Sequence, residues 1–403
     1  MKRWKKLLLL LLALVVLSQV PFAYRRYRLG RLHAAIQQLN SERIEAENRS
    51  GVTEFKGVVH VHSSLGGHSN GTFAEIIDAA TANQLDFVVM TEHPSLVFNT
   101  AEMTLKGNHA GVLFVNGNEV RTATGDRLLL IPGDAESADD SKWSTPEALA
   151  RRDVGLALVA YPEEFRSWEA NGYGGIEVYN IYTNARQINP LVMFFDAVWS
   201  YRSYPDLLFA RFYERPTQNL KQWDEQLKQG KRLVATAGND AHANIGLSLN
   251  DSSGKTLLGF KLDPYERSFR LVRLHVLATP FHGPVLDELS LMNAISRGNC
   301  FIGFDLFGDT TGFRFTAQAA DQTRIMGDEI KLEDEVRLTA SVPVTARILL
   351  LKDGIVVQDN SAVRKMDFTA REKGSYRVEV YLPQLPRPAG EQPWIISNPI
   401  YVK

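Results

Sequence analysis

The sequence predicts an α/β fold in which a barrel of seven strands is followed by a small β-sandwich. From Phe55 onward, short apolar strands alternate with helical segments, a pattern typical of a parallel sheet or barrel. From about Gly312 the pattern changes to short alternating strands with hairpin turns, as in a β-sandwich. A chain of 403 residues with 44% apolar content is long enough for about two or three such units.

The amino terminus carries an apolar segment between two basic clusters. Residues 7–23 contain no charge, and they lie between MKRWKK and YRRYRLGR. Because a spanning helix needs about 20 residues, residues 1–24 are predicted to be a signal anchor or a signal peptide. Residues 25–50 are predicted to be a helical stalk, since apolar residues recur there at helical spacing. We expect a membrane-anchored protein with its bulk outside the cytoplasm, or an exported protein if the leader is cleaved.

Residues 51–305 are predicted to form the barrel. The seven candidate strands occupy residues 55–61, 86–92, 111–117, 127–133, 155–161, 174–180 and 231–238. Helix signals lie between them. Thr72 and Glu75 form a capping-box pattern, Pro146 stands at a tolerated first-turn position, and a third helix ends at Gly230.

Residues 312–403 are predicted to form a small immunoglobulin-like β-sandwich. The segment ARILLLKDGIVVQ contains an Asp-Gly pair between two apolar runs, which is a strong hairpin signal. The segment contains no histidine, so no metal-ligand cluster is predicted in it. We expect it to pack against the barrel, with binding of a partner as the alternative.

Composition restricts the classes of function. The formal net charge of −1 gives no specific indication of nucleic acid as a partner, because such proteins usually carry a strongly basic face. The single cysteine, Cys300, excludes an internal disulfide and any cysteine-cluster metal site. A bound metal would therefore use imidazole and carboxylate ligands.

Histidines and carboxylates follow the predicted strands. His60 and His62 are two positions apart at the end of the first strand, and alternation along a strand directs both imidazoles to one side. The later strands are followed by His93, Glu119, Asp240 and His242. Because catalytic loops gather at the carboxyl-terminal rim of a parallel barrel, these side chains are expected to meet there. Such a mixture of ligands suits zinc, manganese or iron.

The motifs HVHSSLGGHSNGT, TEH, GNEV and GNDAH, taken in order, resemble those of the PHP (polymerase and histidinol phosphatase) domain. The resemblance covers about residues 55–305. It implies a distorted seven-stranded barrel with two or three divalent transition-metal ions. The ligands that it implies are His60, His62, His68, His93, Glu119, Asp240 and His242.

Two positions depart from the family's pattern. Asp126 stands where the family often has a histidine, and its carboxylate is kept as a candidate ligand. Tyr161 stands where a histidine commonly precedes proline, and a neutral phenol is a poor ligand. We predict that Tyr161 and Glu177 support the ligands, with contact to the substrate as an alternative for Glu177. For Glu177, a structural hydrogen-bonding role is an equal alternative.

Clustered metal ions indicate hydrolytic chemistry. A divalent ion lowers the pKa of bound water from about 16 to about 7, so hydroxide becomes the nucleophile and no serine or cysteine is required. Phosphoester hydrolysis, on a small-molecule or envelope substrate, is the first hypothesis and is what the resemblance implies. The same site would serve a carboxylic ester, amide or carbamate hydrolase, and a degenerate barrel would serve as a binding or scaffold protein. The oligomeric state stays open.

Overall fold

The computed structural model describes residues 3–44, 52–134, 140–152, 155–185, 189–244, 246–250, 256–261, 263–281, 283 and 285–403. Residues 45–50 of the predicted stalk lie outside this part of the chain. The α-helices are α1 Arg3–Ser41, α2 Phe73–Ala82, α3 Thr100–Met103, α4 Thr145–Ala150, α5 Ile181–Ala185, α6 Pro190–Ser200, α7 Thr217–Lys228, α8 Tyr265–Leu271 and α9 Glu288–Arg297.

The β-strands fall into two stretches of the chain. The first contains β1 Thr53–Val61, β2 Phe87–Met90, β3 Gly107–His109, β4 Val112–Val115, β5 Asn118–Arg121, β6 Arg127–Ile131, β7 Leu156–Ala160, β8 Gly175–Asn180, β9 Val234–Ala241, β10 Gly246–Asn250, β11 Thr256–Lys261, β12 Arg273–Ala278 and β13 Cys300–Gly303. The second contains β14 Arg314–Ala319, β15 Gln322–Ile325, β16 Glu329–Ile330, β17 Val336–Lys352, β18 Ile355–Ala370, β19 Gly374–Tyr381, β20 Pro393–Ser397 and β21 Ile400–Val402.

Helix α1 is long and apolar enough to cross a membrane, by length and composition, and a signal sequence would look the same. It continues through residue 24 without a break, so the predicted boundary between anchor and stalk is not a helix end. Its second half packs on the body of the protein, where Leu32, Ile36 and Leu39 are buried in the core. The predicted stalk is therefore docked along part of its length, because its apolar face is covered by the rest of the chain.

Each of the seven predicted strands is present, as β1, β2, β4, β6, β7, β8 and β9. Strand β1 lies between β2 and β9 and is parallel to both. Strands β9, β8 and β7 follow one another in parallel, and β4 lies parallel to β2 on its other side. These parallel strands have nearly fully buried residues, as expected for a sheet covered on both faces.

The sheet is mixed rather than parallel, which corrects the prediction. Strand β6 runs antiparallel to both of its neighbours, β5 and β7. The reason is the connection between β5 and β6, since residues 122–126 form too short a link for a parallel crossover, which takes a dozen or more residues. A bridge between Glu92 and Asn118 joins the end of β2 to β5.

The C-terminal strands continue the same network of hydrogen bonds. Strand β12 pairs with the first half of β1, β13 pairs with β12, and β20 pairs with β13. The long strands β17 and β18 form the predicted hairpin, and its turn residues Asp353 and Gly354 have the positive φ angles of 51° and 80° that such a turn requires. The segment after residue 312 is thus joined to the preceding strands by main-chain hydrogen bonds.

Two buried ionic networks lie away from the carboxyl-terminal ends of the parallel strands. The Nδ1 atom of His275 lies 2.8 Å from Oε1 of Glu54, and its Nε2 lies 3.4 Å from Oδ1 of Asp305. Although burial lowers it, the pKa of His275 is raised to about 9 by these two carboxylates. Arg377 of β19 forms a two-point ion pair with Asp224 of α7, at 2.9 and 2.8 Å.

Candidate metal centre

Four ligand-type side chains converge from β1, β5 and β9 and from the residue after β1. They are His60, His62, Glu119 and Asp240, all buried, and their ligand atoms lie within 4.8 Å of one another. His60 has a φ of 69° and Asp240 a φ of 45°, conformations that are uncommon for residues other than glycine. The pairing of β1 with both neighbours shifts register between Val59 and Val61. The imidazoles therefore converge through an irregular strand, not through simple alternation, and the strain lies at the candidate site.

The separations within this group fit ligands that share a cation. Oε2 of Glu119 lies 3.3 Å from Nε2 of His60 and 3.4 Å from Nε2 of His62. Oδ1 of Asp240 lies 3.6 and 3.5 Å from the same two nitrogens. With metal–ligand bonds of ~2.0–2.1 Å, two ligands of a tetrahedral ion stand about 3.3–3.4 Å apart. The same distances are long for strong hydrogen bonds.

Buried polar atoms without hydrogen-bond partners also indicate a cation site. Within the described residues, both ring nitrogens of His62 and Oδ1 of Asp240 are buried and lack a hydrogen bond of normal geometry. An unsatisfied buried polar atom costs about 1–3 kcal/mol, and more when it is charged. A cation held between the two residues would satisfy Oδ1 of Asp240 and one ring nitrogen of His62. Two imidazoles with two carboxylates form a set that suits zinc, manganese or iron.

A second group shares His62 with the first. His62, His93 and His242 also place ligand atoms within 4.8 Å of one another. The ring of His62 stacks on each of the other two, with centroid distances of 4.7 Å to His93 and 4.3 Å to His242. His93 also lies 3.5 Å from Oε2 of Glu119. The two groups are therefore contiguous, and the arrangement is compatible with more than one ion.

Three of the four candidate ligands have protonation states that suit metal ligation. His60 is the exception: although burial lowers it, its pKa is raised well above the ordinary value by Glu177 and Asp240, so a metal would displace its proton. Burial is the main cause that lowers the pKa of His62 to about 3, so this imidazole is neutral at pH 7. Although burial raises it, the pKa of Glu119 is lowered to about 2 by the neighbouring His60. Asp240 is likewise buried, and the imidazoles around it hold its pKa well below the usual value. Neutral imidazole and ionised carboxylate are the forms that bind a metal.

Glu177 fixes the orientation of His60. Its Oε2 lies 2.7 Å from Nδ1 of His60, and its Oε1 accepts a hydrogen bond from Nδ2 of Asn180 at 2.7 Å. Gly238 makes room for this carboxylate, because a Cβ atom there would lie 2.0 Å from Oε2 of Glu177. A histidine ligand usually carries such a carboxylate on its other nitrogen. Asn180 was missed from sequence, although it stands three residues after Glu177 at the same strand end.

Tyr161 and Arg127 support the carboxylates. The Tyr161 hydroxyl donates to Oδ2 of Asp240 at 2.5 Å, and burial together with nearby carboxylates raises its pKa, so the phenol stays neutral. Arg127 donates to Oε1 of Glu119 at 3.2 Å and lies 4.8 Å above the Tyr161 ring. The other oxygen of each carboxylate, Oδ1 of Asp240 and Oε2 of Glu119, faces the imidazoles of His60 and His62. Tyr161 is placed beside a candidate ligand, as a hydrogen-bond donor.

Two of the predicted ligands are not brought into these groups. The Asp126 carboxylate instead accepts hydrogen bonds from the Arg166 amide, the Ser167 hydroxyl and the Thr145 hydroxyl, at 2.8, 2.5 and 2.7 Å. These donors occupy both of its oxygens, so its role here is structural. His68 is exposed, and its ring lies 4.8 Å from that of His93 at the edge of the site.

The site opens into a cleft of about 540 Å³. Besides the candidate ligands, the cleft is lined by Arg121, Arg127, Tyr161, Tyr182 and Asn244, among others. The guanidinium groups of Arg121 and Arg127 place positive charge beside the histidines. A cleft of this size accommodates a small molecule, and its arginines favour an anionic one.

No protein-family model matches the chain, and no curated protein sequence matches it. Among solved structures it is similar to PsfC from Pseudomonas syringae, with 13% sequence identity and a TM-score of 0.39. That similarity covers 62% of this chain and 92% of PsfC. A TM-score this low does not establish a shared fold.

Proposed function

We propose that this protein is a metal-dependent phosphoesterase, with a PHP-type barrel followed by an immunoglobulin-like β-sandwich. The observation that carries the proposal is the buried group of His60, His62, Glu119 and Asp240, whose ligand atoms lie within 4.8 Å of one another. The contiguous group with His93 and His242 supports two or three divalent ions, of zinc, manganese or iron.

Bound ions would supply activated water and would stabilise charge on a phosphoryl group. The residues of the chain prepare the site for them. Glu177 holds the ring of His60, and Tyr161 and Arg127 each hold one oxygen of a carboxylate, so the remaining ligand atoms face one another. Such supporting hydrogen bonds are typical of metal sites and fix the orientation of the ligands.

A phosphoester is favoured over a neutral substrate by the two arginines that line the cleft. Arg121 is exposed there, and Arg127 is half-buried beside Glu119. A guanidinium group binds phosphate oxygens through two parallel hydrogen bonds. Arg127 already pairs with Glu119, so an uncharged carboxylic ester or amide would leave the positive charge of Arg121 unused. The substrate would be a small molecule or an envelope component, since we also propose that α1 anchors the chain with the cleft outside the cytoplasm.

The test compares hydrolysis of three substrates by the full-length chain in detergent, supplied with Zn²⁺, Mn²⁺ or Fe²⁺. We expect turnover of a phosphate monoester or diester and none of a carboxylic ester. Because His62 belongs to both ligand groups, His62→Ala is expected to lower turnover by more than about 100-fold. His109→Ala is the matched control, since this histidine lies outside the cleft and contacts the Lys106 carbonyl oxygen.

Three results would contradict the proposal in different ways. Metal-dependent turnover of the carboxylic ester alone would make the protein a different hydrolase on the same site. A folded chain that binds metal and turns over none of the substrates would favour a binding or scaffold role. Equal activity of His62→Ala and His109→Ala would place the chemistry elsewhere.

A further inference from the structure

Helix α6 exposes an apolar face. Its sequence, PLVMFFDAVWS, contains one charged residue, and Leu191, Phe194 and Val198 are 65%, 47% and 65% exposed. These residues are spaced by three and four positions and lie on the same side of the helix. We call them the α6 apolar face. Large apolar side chains grouped in this way usually mark an interaction surface.

Other residues of α6 are fixed against α1. The rings of Phe195 and Phe22 lie 5.1 Å apart, and the Trp199 indole nitrogen donates to the Gln19 side chain at 3.0 Å. The single charged residue of α6, Asp196, is buried and pairs with Arg25 at 3.2 Å. Helix α6 is thus held at the level of residues 19–25 of α1.

The length of the apolar run in α1 determines the depth of residues 19–25 in a bilayer. Residues 7–23 of α1 carry no charge, and 17 residues of helix span about 25 Å. The hydrocarbon core of a bilayer is about 30 Å thick, so the whole run is needed to cross it. Gln19 and Phe22 belong to that run. An embedded α1 therefore brings α6 to the boundary between hydrocarbon and headgroups.

We propose that α6 is a second membrane contact, whose apolar face enters the headgroup–acyl boundary of the bilayer that α1 crosses. This inference rests on the proposed membrane anchor and is independent of the proposed hydrolysis. The bilayer is the favoured occupant because the exposed part of α1 and the α6 apolar face lie at adjoining levels. The flanking residues agree, since Tyr24, Trp199 and Arg25 are of the aromatic and basic types found at membrane interfaces.

Two contacts of this kind have a physical consequence. A helix lying in the interface gains from the apolar area that it buries in lipid. Because α6 is rigidly packed on α1, its insertion would fix the orientation of the whole chain relative to the membrane. A single spanning helix with a free stalk would leave the body free to tilt.

The test measures the depth of nitroxide labels in the full-length chain, reconstituted in vesicles of phosphatidylethanolamine and phosphatidylglycerol. Phe194→Cys and Val198→Cys report on α6, Leu12→Cys reports on α1, and Ile355→Cys on the β17–β18 turn is the matched control, being 65% exposed. The native chain is the blank, because its one cysteine, Cys300, is buried. Relaxation by oxygen, which enters lipid, is compared with relaxation by a water-soluble nickel complex.

We expect the ratio of oxygen to nickel relaxation to be several-fold higher at Phe194 and Val198 than at Ile355, and highest at Leu12. A ratio at both α6 positions equal to that at Ile355, with a lipid value at Leu12, would overturn the inference and leave the anchor standing. Protection from both reagents would show that protein covers this face, as in a second copy, and would also overturn it. A water value at Leu12 would overturn the anchor and this inference together. Hydrolysis is measured on the same samples, so that failure of the proposed hydrolysis can be distinguished from failure of the proposed membrane contact.

Discussion

Replacing Tyr161 by phenylalanine tests how the candidate centre is held together. The substitution keeps the ring under Arg127 and removes only the hydroxyl that donates to Oδ2 of Asp240 at 2.5 Å. Asn180 remains near the same oxygen, but its amide lies at 3.3 Å. The carboxylate therefore loses its shorter hydrogen bond and with it part of its fixed orientation.

The size of the effect follows from that bond. A hydrogen bond to a charged group contributes about 1.5–3 kcal/mol. Loss of a group that orients a metal ligand lowers metal affinity by about 10–100-fold, which corresponds to about 1.4–2.7 kcal/mol. We expect Tyr161→Phe to weaken Zn²⁺ binding within this range and to leave the chain folded.

The assay is competition for Zn²⁺ between the metal-free, full-length chain and a chelating indicator. Tyr173→Phe is the control, because the Tyr173 hydroxyl donates to the Trp168 carbonyl oxygen at 2.9 Å and lies outside the cleft. It is expected to leave Zn²⁺ affinity unchanged. A folded Tyr161→Phe protein with the affinity of the native chain would refute the supporting role of this hydroxyl.

Three further substitutions test other parts of the structure. Gly238→Ala would place a Cβ atom 2.0 Å from the Glu177 carboxylate, so we expect Zn²⁺ affinity to fall by about 10–100-fold in the same competition assay. His275 has a pKa of about 9 against an ordinary 6.5, a stabilisation of about 3 kcal/mol that is fully present below pH 6.5 and lost as pH rises through 9. In denaturant unfolding, the stability of His275→Gln should therefore not fall between pH 6.5 and 9 as that of the native chain does. The same dependence of stability on pH in both proteins would contradict this role of His275. Arg377→Met would leave Asp224 without its two-point partner, and we expect urea unfolding to show about 3–5 kcal/mol lower stability.

The positions of the strands and of most candidate ligands follow from local patterns. His60, Glu119 and Asp240 lie in β1, β5 and β9, and His62 directly follows β1. Their convergence could be predicted because adjacent parallel strands end at one edge. The hairpin at Asp353 could be predicted for a similar reason, since the turn residues alone determine its geometry.

Features that depend on distant contacts could not be predicted. The three donors around Asp126 include Thr145 and Ser167, which are 19 and 41 positions away in sequence. No periodic pattern relates such residues, so the sequence does not reveal these donors, and Asp126 is a candidate ligand only through the family resemblance. The pairing of β13 with β20, which joins the segment after residue 312 to the preceding strands, spans almost a hundred residues in the same way.

The irregular backbone at His60 and Asp240 is a further case. Sequence periodicity describes regular strands, and it does not reveal that both residues adopt a positive φ. The positive φ of His60 coincides with the register shift of β1 against β2 and β9. The sequence predicts that the side chains of His60 and Asp240 converge. It does not predict the positive φ angles through which the backbone brings them together.

The central claim is that His60, His62, Glu119 and Asp240 hold divalent cations. Elemental analysis of the full-length chain, grown with transition metal and purified in detergent without chelator, tests it most directly. We predict two or three equivalents of zinc, manganese or iron in the native chain, and loss of most of this metal in a folded His62→Ala variant. Less than about half an equivalent in the native chain, or equal content in the variant, would contradict the account.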